Sequence, residues 1–130
     1  MKRLVLLSAL LLVLAACGGS EKPSPAQPAA ADGPQLEGAA FEGSKVVMNY
    51  GCNVCHAIPG TDGPQGTLGP ALAGVGSRPT LGVGKIPNTP ENLAQFVQNP
   101  ASLHPQSSMP PTGLSDAEAD AVAAFLMTLK

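Results

Sequence analysis

Residues 51–56 read Gly51-Cys52-Asn53-Val54-Cys55-His56, which places two thiols three residues apart and an imidazole directly after the second thiol. On one turn of helix, thiols at this spacing can reach the two vinyl groups of a single porphyrin. The next residue then projects its ring toward the iron. C-x-x-C-H is the attachment signature of a c-type haem. This stretch therefore predicts a covalent haem on Cys52 and Cys55, with His56 as an axial iron ligand.

The same cysteine pair has two other interpretations. A thioredoxin-like dithiol also uses C-x-x-C, but it needs a βαβ context, and no β-branched strand flanks residues 51–56. A zinc site needs four ligands. Beyond the two cysteines the sequence offers only His56 and His104, and adjacent Cys55 and His56 would crowd one tetrahedron. Haem attachment is the interpretation that uses the whole motif.

The second axial ligand has to come from further along the chain. Met109 lies in a loop, Ser107-Ser108-Met109-Pro110-Pro111, where the following proline favours extended backbone. Met48 is too close to the attachment motif to reach the opposite haem face, and Met127 belongs to the last helix, so both are expected to pack in the core. His104 is the alternative ligand, and ligation by two histidines would lower the potential. We predict Met109, because histidine–methionine ligation is a known arrangement of haem iron.

The N-terminal residues predict export and a lipid anchor. Met1-Lys2-Arg3 is a short cationic start, and residues 4–14 are apolar except for Ser8, which is the pattern of a secretory signal peptide. Small residues then precede Cys17, as in bacterial lipoproteins; a chance cysteine beside an ordinary cleavage site is the alternative. We expect a signal peptide over residues 1–16 and a Pro/Ala-rich linker over residues 17–36. A lipidated Cys17 would tether the mature protein to the extracytoplasmic face of a membrane.

The composition limits what the domain can be. The chain is 44% hydrophobic but only 3% aromatic, with 15 glycines and 14 prolines. A small domain with so few large side chains buries too little apolar surface to be stable alone and needs another source of stability. A bulky cofactor in the core is one such source. Outside the first three residues the sequence has no run of Lys or Arg, so it lacks the basic patch by which proteins bind nucleic acid. Residues 36–130 hold four basic and seven acidic side chains, which favours a partner with a positive docking patch.

Three stretches carry helix signals. Residues 39–49 can form a first helix, with Gly43 offering a small contact surface. Thr89-Pro90-Glu91 places an N-cap before a proline at the first helical position and predicts a helix to about Gln98. Ser115-Asp116-Ala117-Glu118 is a capping box that opens a last helix with an apolar stripe at positions 121, 122, 125, 126 and 129. Residues 59–87 are predicted to be loop, with the haem supplying the core.

With these residues in place, the stretch 37–130 resembles the class I cytochromes c. The motif at 51–56, then Gly69-Pro70, then Met109-Pro110 follow in the order of that family. From composition alone the better interpretation of Pro70 is a plain surface loop; the resemblance implies that its carbonyl holds the ring of His56. The resemblance also makes Arg78 a candidate for contact with a haem propionate, with a solvated loop arginine as the alternative. The fold that it implies is all-α, with three to four short helices around one covalent haem.

A closer likeness is to the cytochrome c domain that is fused to subunit II of some haem–copper oxidases. It is carried by Gly74-Val75-Gly76-Ser77-Arg78 and by Ile86-Pro87-Asn88-Thr89-Pro90-Glu91-Asn92-Leu93. The sequence has no cupredoxin portion and no further Cys/His set for a dinuclear copper centre. We therefore expect a free-standing, lipid-anchored relative of the fused domain.

The expected function is one-electron transfer. A monomeric carrier with one haem c, cycling between Fe(II) and Fe(III), would serve an extracytoplasmic respiratory chain and exchange electrons with membrane redox complexes. The oxidase-like stretches suggest a terminal oxidase by analogy. Two alternatives are a small haem enzyme (a peroxidase or a dehydrogenase haem subunit) and a haem-based ligand sensor. Both need an open sixth position, which ligation by Met109 would close.

Overall fold

Helices account for most of the regular structure. The computed structural model describes residues 37–82 and 85–130. Its helices are α1 (Ala39–Asn49), α2 (Cys52–Cys55), α3 (Pro90–Gln98), α4 (Pro100–Leu103) and α5 (Asp116–Thr128), with one 3-10 turn at Val75–Ser77. The predicted all-α fold class is confirmed, with five helices in the described residues where three to four were expected.

The predictions for the first 36 residues lie outside the described ranges. These are the signal peptide, the lipid-bearing Cys17 and the linker. Within residues 37–82 and 85–130, no helix is long and apolar enough to cross a membrane.

Two short strands interrupt the stretch that was predicted to be loop. β1 (Thr80–Leu81) pairs antiparallel with β2 (Ile86–Pro87), with Thr80 opposite Pro87 and Leu81 opposite Ile86. The loop prediction for residues 59–87 is therefore wrong at this hairpin and at the 3-10 turn. Strands of two residues are too short to show the alternation from which a strand is predicted. The single turn of α4 was not predicted either, because its four residues are too few to show a helical period.

The main packing interface lies between α1 and α5. Gly43 of α1 lies at the crossing, where a Cβ would collide with the carbonyl oxygen of Ala121 and come within 2.9 Å of Phe125 Cβ. The absence of a side chain at Gly43 is what allows the two helices to approach so closely. Val47 and Phe125 are almost fully buried on the facing surfaces. This interface joins the helix before the attachment motif to the end of the chain.

The longer helices begin and end where the sequence signals lie. Thr89 caps α3 by accepting from the backbone N–H three residues on, at 3.2 Å, and α3 ends at Gln98. Ser115 and Glu118 form the predicted capping box of α5. Large side chains from all these elements make one core, which contains Val47, Ile58, Val75, Leu81, Leu93, Val97, Leu114, Val122, Phe125 and Leu126.

Candidate haem site

The two cysteines lie on one short helix directly after α1. Gly51 joins α1 to α2 with a φ of 67°, a left-handed conformation that favours glycine. Both cysteines are free thiols; Cys52 is half-buried and packs against the core, whereas Cys55 is exposed. Burial raises the pKa of the Cys52 thiol, and the neighbouring Cys55 thiol raises it further. The motif thus presents two thiols from one helical turn at the edge of the core.

The ring of His56 is held by the carbonyl of Pro70. Its Nδ1 lies 2.8 Å from the Pro70 oxygen. Because a carbonyl oxygen can only accept, Nδ1 carries the proton and donates, and Nε2 keeps its lone pair for a metal. Metal-binding histidines are commonly oriented by such a hydrogen bond from the second ring nitrogen. The structure therefore brings together the two residues that the resemblance to class I cytochromes c pairs.

Two glycines let the following loop lie directly against the motif. The N–H of Gly66 donates to the Asn53 oxygen at 2.9 Å, and the N–H of Gly69 donates to the Cys55 oxygen at 2.8 Å. Gly69 also lies against the His56 ring, where a Cβ would come within 2.6 Å of Nδ1. The loop, the thiols and the imidazole are thus fixed relative to one another by backbone contacts.

Met109 lies on the loop between α4 and α5. It is half-buried, and its N–H donates to Ser107 Oγ at 3.2 Å. His104, the alternative ligand, follows the last residue of α4 and is half-buried. A Cβ built at Gly82 would lie 3.8 Å from both His104 Cδ2 and the ring of Phe96, so His104 packs beside the turn after β1. Ligation of iron by Met109 stays a prediction.

Arg78 follows the 3-10 turn and binds the loop after Pro70. Its Nη2 donates to the oxygens of Ala71, at 2.7 Å, and Ala73, at 3.1 Å. Nε and Nη1 have no hydrogen-bond acceptor among the residues that the structure describes, so they are available to an anion. Contact between Arg78 and a haem propionate remains a prediction that this geometry permits.

Asn88, for which the resemblance makes a weaker case than for Arg78, lies against the 3-10 turn and the residue that follows it. Its Nδ2 donates to the oxygens of Val75, at 2.8 Å, and Arg78, at 2.9 Å. Since both partners are carbonyls, the nitrogen must face them. The Oδ1 atom is then buried without a partner among the described residues. Buried acceptors are rarely left unpaired, so a further donor belongs at this position.

These residues fit a haem better than a bare metal ion or a redox dithiol. Apolar side chains are exposed on the segments around the thiols, with Val54 60% and Leu68 87% exposed, a surface suited to an apolar porphyrin. In residues 37–82 and 85–130 no three His, Cys, Asp or Glu side chains are grouped to hold a metal ion, so a zinc site lacks ligands. The strands in these ranges form only one hairpin of two strands, each two residues long, which supplies no βαβ unit for a thioredoxin-like centre.

Comparison with known proteins identifies the family. The model of the family described as cytochrome c matches residues 40–130. Cytochrome c oxidase subunit 2 of Alkalihalophilus pseudofirmus is 34% identical to this chain over 93 residues. The match covers 70% of this chain but only 26% of the relative, so the chain spans a minor part of that protein's length. The family match, the partial match to an oxidase subunit and the geometry around the C-x-x-C-H motif agree: the chain belongs to the class I cytochromes c, and its cofactor is a covalently attached haem c.

Proposed function

We propose that this cytochrome c is a monomeric one-electron carrier of an extracytoplasmic respiratory chain, tethered to a bacterial membrane by lipid on Cys17. Haem-based electron transfer is the activity that its family implies. The structural observation that supports electron transfer is the 2.8 Å hydrogen bond that fixes the His56 ring. A ligand held in one orientation by its surroundings needs little rearrangement when the charge of the metal changes.

Each site residue has a separate part in holding and tuning the cofactor. Cys52 and Cys55 would bond to the porphyrin, and His56 and Met109 would ligate the iron. When bound, the haem supplies one-electron exchange between Fe(II) and Fe(III). The hydrogen bond from Nδ1 of His56 makes the ring a stronger donor and so favours Fe(III). The thioether of Met109 favours Fe(II) and raises the potential.

An optical spectrum of the purified, haem-loaded protein tests this assignment. We expect sharp c-type bands on reduction and, after oxidation, the far-red band of methionine bound to ferric iron. Haem bands without the far-red band would contradict ligation by Met109 and favour His104 or an open site. Spontaneous binding of carbon monoxide, or turnover of peroxide, by the native protein would then favour the sensor or the enzyme. The absence of haem bands after expression with a working maturation system would contradict haem attachment at residues 52–56.

A terminal oxidase is the proposed electron acceptor. The relative that matches this domain is subunit 2 of a cytochrome c oxidase, which supports this choice. Because residues 36–130 carry more acidic than basic side chains, the docking patch of the oxidase should be positive. Stopped-flow oxidation of the reduced protein by oxidase-containing membranes should therefore slow as ionic strength rises. A rate that does not depend on salt would contradict charge steering, and no oxidation at all would contradict an oxidase partner.

The lipid tether is tested separately from electron transfer. The full chain and its Cys17→Ser variant are expressed in a bacterium that processes lipoproteins, and the haem is measured in the membrane and soluble fractions. We expect the full chain in the membrane fraction and the variant in the soluble fraction, because serine lacks the thiol that would receive the anchoring lipid. Equal distribution of the two proteins would contradict a tether at Cys17.

A further inference from the structure

The loop that carries Met109 has few backbone donors with which to attach itself to the domain. Pro110 and Pro111 follow Met109 and have no N–H. The hydrogen bonds that the described residues make just before them are local: the N–H of Ser107 donates to the His104 oxygen, and that of Met109 donates to Ser107 Oγ. After Met109, the first hydrogen bond from this loop to a helix is therefore made by the residue that follows the two prolines.

That residue is Thr112, and both its donors bind the end of α3. Its N–H donates to the Gln98 oxygen at 3.2 Å, and its Oγ1 donates to the Val97 oxygen at 2.9 Å. The last carbonyls of a helix have no partner within the helix. Thr112 supplies partners for two of them. The same contacts that complete the end of α3 thus fasten the loop.

The side chain of Gln98 completes the attachment from the other side. Its Nε2 donates to the Leu114 oxygen at 3.0 Å and to Asp116 Oδ1 at 2.8 Å. Leu114 is 4% exposed and belongs to the hydrophobic core. Residues Val97, Gln98, Thr112 and Leu114 therefore form a clamp that joins α3 to the segment between Met109 and α5.

We propose that Thr112 is a positioning residue for Met109, because the clamp determines how often the methionine loop moves away from the iron. The inference rests on the proposed ligation by Met109. Loops open locally with free energies well below that of global unfolding, and few hydrogen bonds hold this one. Removing the Thr112 hydroxyl leaves the Val97 carbonyl without its partner, so the closed loop is stabilised less. The open population, in which an external ligand can reach the iron, then rises.

Titration of the oxidised, haem-loaded protein with imidazole measures this population. The apparent dissociation constant equals the intrinsic constant divided by the fraction of molecules whose site is open. Thr112→Val keeps the shape of the side chain and removes the hydroxyl. It should lower the apparent constant about tenfold, which corresponds to about 1.4 kcal/mol. Thr112→Ser keeps a hydroxyl and should restore the wild-type constant.

Thr128→Val is the matched control. The hydroxyl of Thr128 donates to the Phe125 oxygen within α5 at 2.6 Å, so this variant loses a threonine hydroxyl bond away from the methionine loop. It should leave imidazole binding unchanged. Gln98→Met removes the other half of the clamp and should tighten imidazole binding in the same direction, which keeps the test available if Thr112→Val does not fold.

The outcomes separate this inference from the proposed function. A wild-type protein without the far-red methionine band would refute ligation by Met109 itself. A wild-type protein with that band, but with unchanged imidazole binding in Thr112→Val or, if that variant does not fold, in Gln98→Met, would overturn the positioning role alone. Equal tightening in Thr128→Val would also overturn it, because a general loss of stability would then explain the effect.

Discussion

Gly69→Ala places one methyl group against the ring that the site depends on. A Cβ at residue 69 would lie closest to His56 Cε1, 2.6 Å from Nδ1 and 2.9 Å from Nε2, where ordinary contact begins at 3.4 Å. Gly69 does not have a left-handed φ, so its backbone accepts alanine. The whole cost of the substitution therefore comes from the collision with the imidazole.

The magnitude follows from what the ring would lose. It has to retreat by about 1 Å to regain van der Waals contact, and it cannot do so without stretching the 2.8 Å bond to Pro70. Overpacking of this kind costs about 2 kcal/mol, and the hydrogen bond contributes about 1 kcal/mol. The expected loss in the free energy of unfolding is therefore about 3 kcal/mol, a large part of what a domain of this size has.

Guanidinium unfolding of the haem-loaded protein measures this loss, and potentiometry measures its effect on the iron. The potential should rise, because an imidazole with a weaker Nδ1 hydrogen bond is a poorer donor to Fe(III). Gly43→Ala is the control, since its Cβ would collide with Ala121 at the crossing of α1 and α5, away from the motif. It should lower stability and leave the potential unchanged. An unchanged stability in Gly69→Ala, or an equal shift of potential in both variants, would refute the reasoning.

Three further predictions concern other parts of the domain. Met109→Ala should open the iron to carbon monoxide and cyanide and lower the potential; a variant that neither binds these ligands nor changes in potential would remove Met109 from the site. The hydroxyl and the N–H of Ser115 hold the pKa of Glu118 below its usual range. A carboxyl whose pKa is lower in the folded protein than in the unfolded chain stabilises the fold at pH values above its unfolded-state pKa. This stabilisation is lost as the pH falls through the folded-state pKa. Glu118→Gln should therefore reduce the free energy of unfolding at pH 7, with a deficit that shrinks in acid; urea titrations that show an equal deficit at both pH values would contradict this. Asn88→Ala removes the two hydrogen bonds from the amide to the oxygens of Val75 and Arg78 and should cost about 2 kcal/mol in the same titrations; a loss within error would show that these two bonds do not stabilise the loop.

Signals within a few residues of one another made the helices predictable. Thr89 caps α3 through a bond to the third residue on, and Ser115 and Glu118 are three residues apart. The β1–β2 hairpin was missed because its strands are two residues long, so too few residues show a period. The predictions at residues 1–36, including lipidation of Cys17, lie outside the described structure and stay predictions.

The sequence by itself determined the chemistry of the motif, because C-x-x-C-H is a local spacing that can be read without knowing where the chain goes next. The resemblance to the class I cytochromes c implied the contact between Pro70 and His56, but only the tertiary structure showed that contact and the one that holds the methionine loop. The Pro70 carbonyl meets the ring of His56 from 14 residues away, and Thr112 reaches Val97 across 15. Such contacts depend on how helices and loops pack, and packing is set by the whole core. A spacing of three residues is fixed by one turn of helix, whereas a spacing of 15 is fixed by the fold.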